Sequence, residues 1–168
     1  MNGGDGEDII YGSIGNDTID GGAGGDTIQF TKTLMEANST TTLTSTYDGG
    51  AGTDIVQFMT DDTHAADADF RGMTSFESIV TKDGTNTLTL AENADAVGIT
   101  TITGGAAADT VDISDADFDN ALTFNMDDAR AVDVLTGWTT GSTGDSNVVA
   151  LGLAALETAG TTGVDTSA

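Results

Sequence analysis

Apolar residues in the first 30 positions arrive on a fixed beat. Ile10, Ile19 and Ile28 are nine residues apart, and each sits at the centre of a triplet, Ile9-Ile10-Tyr11, Thr18-Ile19-Asp20 and Thr27-Ile28-Gln29, the last two flanked by polar residues. Alternate residues of a strand face opposite sides of a sheet, so a three-residue segment with one central apolar residue reads as a very short strand with one face inward. Such a strand cannot bury that face alone. A short fixed period therefore predicts stacked units sharing one core, with six-residue turns between strands and about 18 residues per coil of two units. Further short alternating segments follow at 78–81, 87–90, 100–103, 110–113, 122–125, 131–135 and 147–151. Ile79 to Leu88 and Ile102 to Val111 keep the nine-residue step, which predicts one solenoid continuing with irregular turns.

The turns are as regular as the strands. Gly6, Gly15 and Gly24 form one column and Asp8, Asp17 and Asp26 another, nine residues apart. Glycine supplies the positive φ that tight turns demand. After a polar, threonine-rich excursion at about 31–48, read as an insertion, the pattern resumes as Gly49-Gly50-Ala51-Gly52-Thr53-Asp54 and closes on Gln57-Phe58, as the earlier unit closes on Gln29-Phe30. If the excursion is an insertion, the turn at 49–54 stacks on that at 12–17 and Asp17 shares an ion with Asp54; the sequence leaves the parity of this stacking open. The turn ending in Asp109 has lost its third glycine.

Charge turns this scaffold into a chemical question. The 168 residues hold 28 Asp and Glu against four Lys and Arg, a net charge of -24. Such a chain repels phosphate backbones and anionic membrane surfaces, which excludes nucleic acid as a partner and makes cations the natural one. With no cysteine there is neither a disulfide framework nor a thiolate metal site. No basic and apolar leader opens the chain and no run approaches a membrane span, so neither a cleaved signal nor membrane insertion is expected. The 18-residue coil puts Asp8 over Asp26 at roughly one strand spacing, about 4.8 Å. Two carboxylates that close need a cation between them. Calcium, which takes six to eight oxygen ligands, suits carboxylates and glycine-freed carbonyls better than magnesium with its strict octahedron. A merely solvated Gly-Asp linker leaves the isoleucine column unexplained.

The units at 3–30 and 49–58 resemble the RTX nonapeptide G-G-x-G-x-D-x-U-x, a calcium-binding repeat. The resemblance implies an all-β parallel β-roll, with Ca2+ held by the turns through Gly4, Gly6 and Asp8; Gly15 and Asp17; Gly22, Gly24 and Asp26; Gly50, Gly52 and Asp54; and, on a degenerate turn, Asp109. Ser13 and Ile14 depart from the pattern. It also implies calcium-coupled folding, export by a type I route and an extracellular location. Residues 76–90 resemble, more diffusely, segments of bacterial surface-layer proteins and large adhesins. The expected organisation is RTX repeats over 1–58, then a degenerate continuation over 59–168 with an apolar terminal cap at 148–156.

Catalysis has little to stand on. His64 is the only histidine, and no zinc, phosphate-loop or nucleophile-elbow motif is present. The expected function is a calcium-dependent structural module of a secreted, S-layer-like bacterial surface protein that self-associates on the cell surface. The alternatives are the export and folding domain of a type I secreted hydrolase, or an adhesin binding module.

Overall fold

The computed structural model describes residues 1–13, 15–31, 45–113, 120–125 and 134–136. The expected strand at 147–151, the cap at 148–156, the acidic cluster at Asp115, Asp117 and Asp119, and the residues Arg130 and Trp138 lie outside them. Fourteen strands are assigned: β1 (Asn2–Asp5), β2 (Ile9–Tyr11), β3 (Thr18–Ala23), β4 (Thr27–Phe30), β5 (Thr46–Ala51), β6 (Ile55–Phe58), β7 (His64–Ala65), β8 (Met73–Thr74), β9 (Ser78–Val80), β10 (Thr87–Thr89), β11 (Thr101–Thr103), β12 (Thr110–Asp112), β13 (Thr123–Asn125) and β14 (Val134–Thr136). They form three parallel sheets, ordered β1-β3-β5-β8, β13-β11-β9-β6-β4-β2 and β14-β12-β10-β7. The chain is a parallel β-roll that becomes a three-sided solenoid.

The apolar beat becomes the core. Ile10, Ile28, Val56, Ile79, Ile102 and Phe124 stand in register across the six-stranded sheet, each no more than 6% exposed. Leu88 aligns with Val111, and Ile19 with Tyr47, in the other two sheets. Phe30 meets Tyr47 edge to face at 4.9 Å, which ties two sheets together across the interior. Burial of each such side chain is worth about 1.5–3 kcal/mol, and the columns repeat it coil by coil.

The coil length changes along the molecule. β1 and β3 are 18 residues apart in register, the predicted two-sided coil. β3 to β5 takes 28, an excess of ten accommodated between Phe30 and Thr46. The insertion is therefore shorter than the expected 31–48, because Thr46–Asp48 already belong to β5. From β6 onward the six-stranded sheet repeats every 22 or 23 residues. The nine-residue step from Ile79 to Leu88 carries the chain from that sheet to a new third one, and a longer return closes the coil. Between β10 and β11 the return carries a helix, α1 (Glu92–Val97), ending at Gly98 with φ 104°; the alternating pattern gave no sign of it. Asp67 fixes its start, with Oδ1 accepting from the backbone of Ala91 and Ala94 (both 2.9 Å) and Oδ2 from the Asn93 side chain (2.6 Å).

Candidate metal centre

Three Gly-Asp turns lie above one another on one edge of the roll. The β1-β3-β5 register places Gly4 beside Gly22 and Gly22 beside Gly50. The turn at 49–54 therefore stacks on 21–26, and not on 12–17 as expected. The reason is the ten-residue excess: it lengthens one whole coil and leaves the parity of the turns unchanged. Asp54 accordingly joins Asp8 and Asp26, and the sharing of an ion between Asp17 and Asp54 is overturned.

The aspartates form a ladder. The backbone N–H of Asp8 donates to Oδ1 of Asp26 at 2.8 Å, that of Asp26 to Oδ1 of Asp54 at 2.7 Å, and that of Asp54 to Oε2 of Glu77 at 2.7 Å. Asp26 and Asp54 are fully buried. Asp26, Asp54 and Glu77 thus each spend one oxygen on the preceding coil. The other oxygen, Oδ2 of Asp8, Asp26 and Asp54, is buried with no hydrogen-bond partner. Leaving a buried charged oxygen unmatched is costly.

Those oxygens share their space with carbonyls. A Cβ placed on Gly3 would stand 2.7 Å from Oδ2 of Asp8 and against the carbonyl oxygen of Gly21; one on Gly21 would stand 2.5 Å from Oδ2 of Asp26 and against that of Gly49. Carboxylate from one coil and carbonyl from the next converge on a volume that any side chain would fill. Deeper in the turn, Gly22 (φ 109°) and Gly24 (φ 134°) leave room for the carbonyls of Gly4 and Gly6, and Gly50 and Gly52 do the same for Gly22 and Gly24. Among the described residues no three carboxylate or imidazole groups meet at one point. A cation here must take much of its coordination from backbone carbonyls, the donor set of a hard ion such as calcium. The residues fit it.

Electrostatics tell the same story from the ion-free side. Asp54 is pushed above the usual carboxylate range, first by burial and then by the charges of Glu77, Asp26 and Asp48, although the Asp26 N–H opposes this. Glu77 was missed by sequence reasoning because its turn carries no glycine pair; its place 23 residues after Asp54 is the signal that the later coil length provides.

The remaining predicted ligands fall elsewhere. Gly15 and Asp17 lie on the opposite edge, where Ser45 holds their turn: its Oγ donates to the Gly15 carbonyl and accepts from the Asp17 N–H, both at 3.1 Å. Ser13 donates to Oδ2 of Asp17 at 2.7 Å. Asp109 sits at the mouth of the third sheet, accepting from both nitrogens of Asn86. Other acidic side chains hold loops: Asp62 accepts from Thr85, Asp69 from Ala66, and Asp61 lies 3.7 Å from Lys82.

Residues 1–28 match the RTX calcium-binding nonapeptide repeat (4 copies). This N-terminal segment carries RTX repeats, which bind calcium, and the chain contains a calcium-binding structural module of a kind typical of secreted proteins. No curated protein and no solved structure matches the chain. No helix among the described residues is long and apolar enough to cross a membrane.

Proposed function

We propose that calcium ions lie between the turns at 3–8, 21–26 and 49–54, ligated by Oδ2 of Asp8, Asp26 and Asp54 and by carbonyls of the stacked glycines, and that this binding drives folding of the N-terminal coils. One observation carries the proposal: three aspartates in register each keep one buried, unpartnered oxygen, and those of Asp8 and Asp26 lie against the carbonyls of a neighbouring coil. Ionised, these groups oppose compaction; with calcium at tenfold excess over its dissociation constant each site adds about 1.4 kcal/mol. Affinities of about 10⁻⁴ to 10⁻³ M, the range of extracellular modules, keep the N-terminal coils open where calcium is scarce and fold them outside the cell.

The module is structural, a part of a secreted bacterial surface protein of the S-layer kind. Nothing among the described residues resembles an activated catalytic group: His64 is exposed, with Nδ1 only 3.2 Å from the Asp62 carbonyl of its own loop. Far-ultraviolet circular dichroism tests folding of these coils on calcium, with a β signal expected to be larger in millimolar calcium and to fall in chelator; a spectrum indifferent to chelator refutes it. Electron microscopy in millimolar calcium tests assembly: ordered sheets or fibres are expected, and dispersed monomers favour the alternative of an export or binding module.

A further inference from the structure

The turns that lead into the third sheet repeat the N-terminal ladder with one exchange of chemistry. Thr63 donates its backbone N–H to Oδ1 of Asn86 at 2.9 Å, and Asn86 donates its own to Oδ1 of Asp109 at 2.9 Å, each a step of 23 residues. Asn86 is fully buried. It holds the position that Asp26 holds in the calcium turns: side-chain oxygen to the preceding coil, backbone N–H to the next. The difference lies in the second side-chain atom. Where Asp26 presents a bare oxygen, Asn86 presents Nδ2, which donates to the carbonyls of Lys82 (2.9 Å) and Gly84 (2.8 Å) in its own turn and to Oδ1 of Asp109 in the next coil (2.8 Å).

Two turn carbonyls and a carboxylate from the adjacent coil are the oxygens a calcium ion would gather. We propose that the Asn86 carboxamide stands in the place of the ion, so that the coils built on Thr63, Asn86 and Asp109 fold without calcium. The inference rests on the calcium reading of the N-terminal turns. The orientation of the amide is fixed by its surroundings, since the reverse would set an oxygen against three acceptors and a nitrogen against the Thr63 N–H. Charge follows the same logic. The N-terminal ladder stacks Asp8, Asp26, Asp54 and Glu77, four acids, whereas among the described residues this one has Asp109 as its only charged member.

A boundary results. Calcium dependence covers the coils ending at Glu77, and beyond it a covalently attached donor does the ion's work at no cost in binding. The calcium-independent coils then offer a preformed sheet edge at β9, on which β6 of the calcium-dependent coils adds.

Hydrogen exchange read by mass spectrometry on the full chain tests this, since local protection reports local stability. In chelator, segments around Leu88 and Val111 are expected to keep the protection they have in calcium, within about threefold, while those around Ile28 and Val56 lose theirs. Asn86→Asp replaces the donor with an oxygen. It is expected to lower protection at Leu88 and Val111 in chelator by about tenfold to a hundredfold, as loss of a buried hydrogen-bonded group does, and to recover it in millimolar calcium. Asn86→Ala is expected to lose the same protection and not recover it. Loss of protection at Leu88 and Val111 in the unmodified chain on chelation overturns the proposal, as does an Asn86→Asp chain that is as protected as the parent in chelator or no better protected in calcium. Failure of the calcium reading itself looks different: Ile28 and Val56 then stay protected in chelator.

Discussion

One carboxylate oxygen decides what each ladder residue does. Asp26 has neighbours on both sides, accepting from Asp8 and donating to Asp54, so Asp26→Asn should act in two directions. It removes a ligand, lowering calcium affinity by tenfold or more in a calorimetric titration, and it removes a buried charge, raising stability in chelator as read by urea unfolding. Position and charge also set the pH response. Asp54 is raised above its ordinary value, first by burial, so in ion-free protein its stabilising contribution is present below that ordinary value and lost as pH rises through the folded one. Asp67 is the reverse. Burial pushes it up, but hydrogen bonds from Ala94, Asn93 and Ala91 outweigh this and hold it below its ordinary value. Its contribution is present above that value and lost as pH falls through the folded one. In chelator, the urea midpoint of the N-terminal coils should therefore fall over the pH interval that begins at the ordinary carboxylate value, and Asp54→Asn should flatten that fall. A midpoint that rises over this interval contradicts the assignment.

At the scale of the coil, the interior was far more legible than the stacking order. Ile10, Ile19 and Ile28 announced short strands because period-two alternation with one apolar residue has few other solutions, and the structure buries all three. Ile28→Ala, in the six-stranded sheet's buried column, is expected to cost about 2–5 kcal/mol in calcium, measured by urea unfolding. Stacking parity was not legible, because the turns at 12–17 and 21–26 look alike in sequence and only the pairing of β3 with β5 distinguishes them. The third sheet was half visible: the step from Ile79 to Leu88 was in the sequence, but the lengthened return through α1 carries no strand alternation. Asn86 stayed hidden for a chemical reason. A search for ligands follows carboxylates, and a residue that replaces the ion has none.

For the whole molecule, the net charge of -24 means that self-repulsion and specific ion binding must be told apart. Monovalent salt screens exposed charges over about 8 Å at physiological strength, so sodium chloride in chelator should raise the stability of the C-terminal coils a little. It should not restore the N-terminal ones, whose aspartates are buried and need a ligand of their own. Folding of residues 9–58 by half-molar sodium chloride alone, seen by hydrogen exchange, would count against specific calcium coordination. The most direct measurement is an anomalous difference map from crystals grown in calcium. Peaks are predicted beside Oδ2 of Asp8, Asp26 and Asp54, between the stacked turns, with none beside Asn86. Crystals in millimolar calcium that show no peak at those three oxygens, or show one at Asn86, contradict the account.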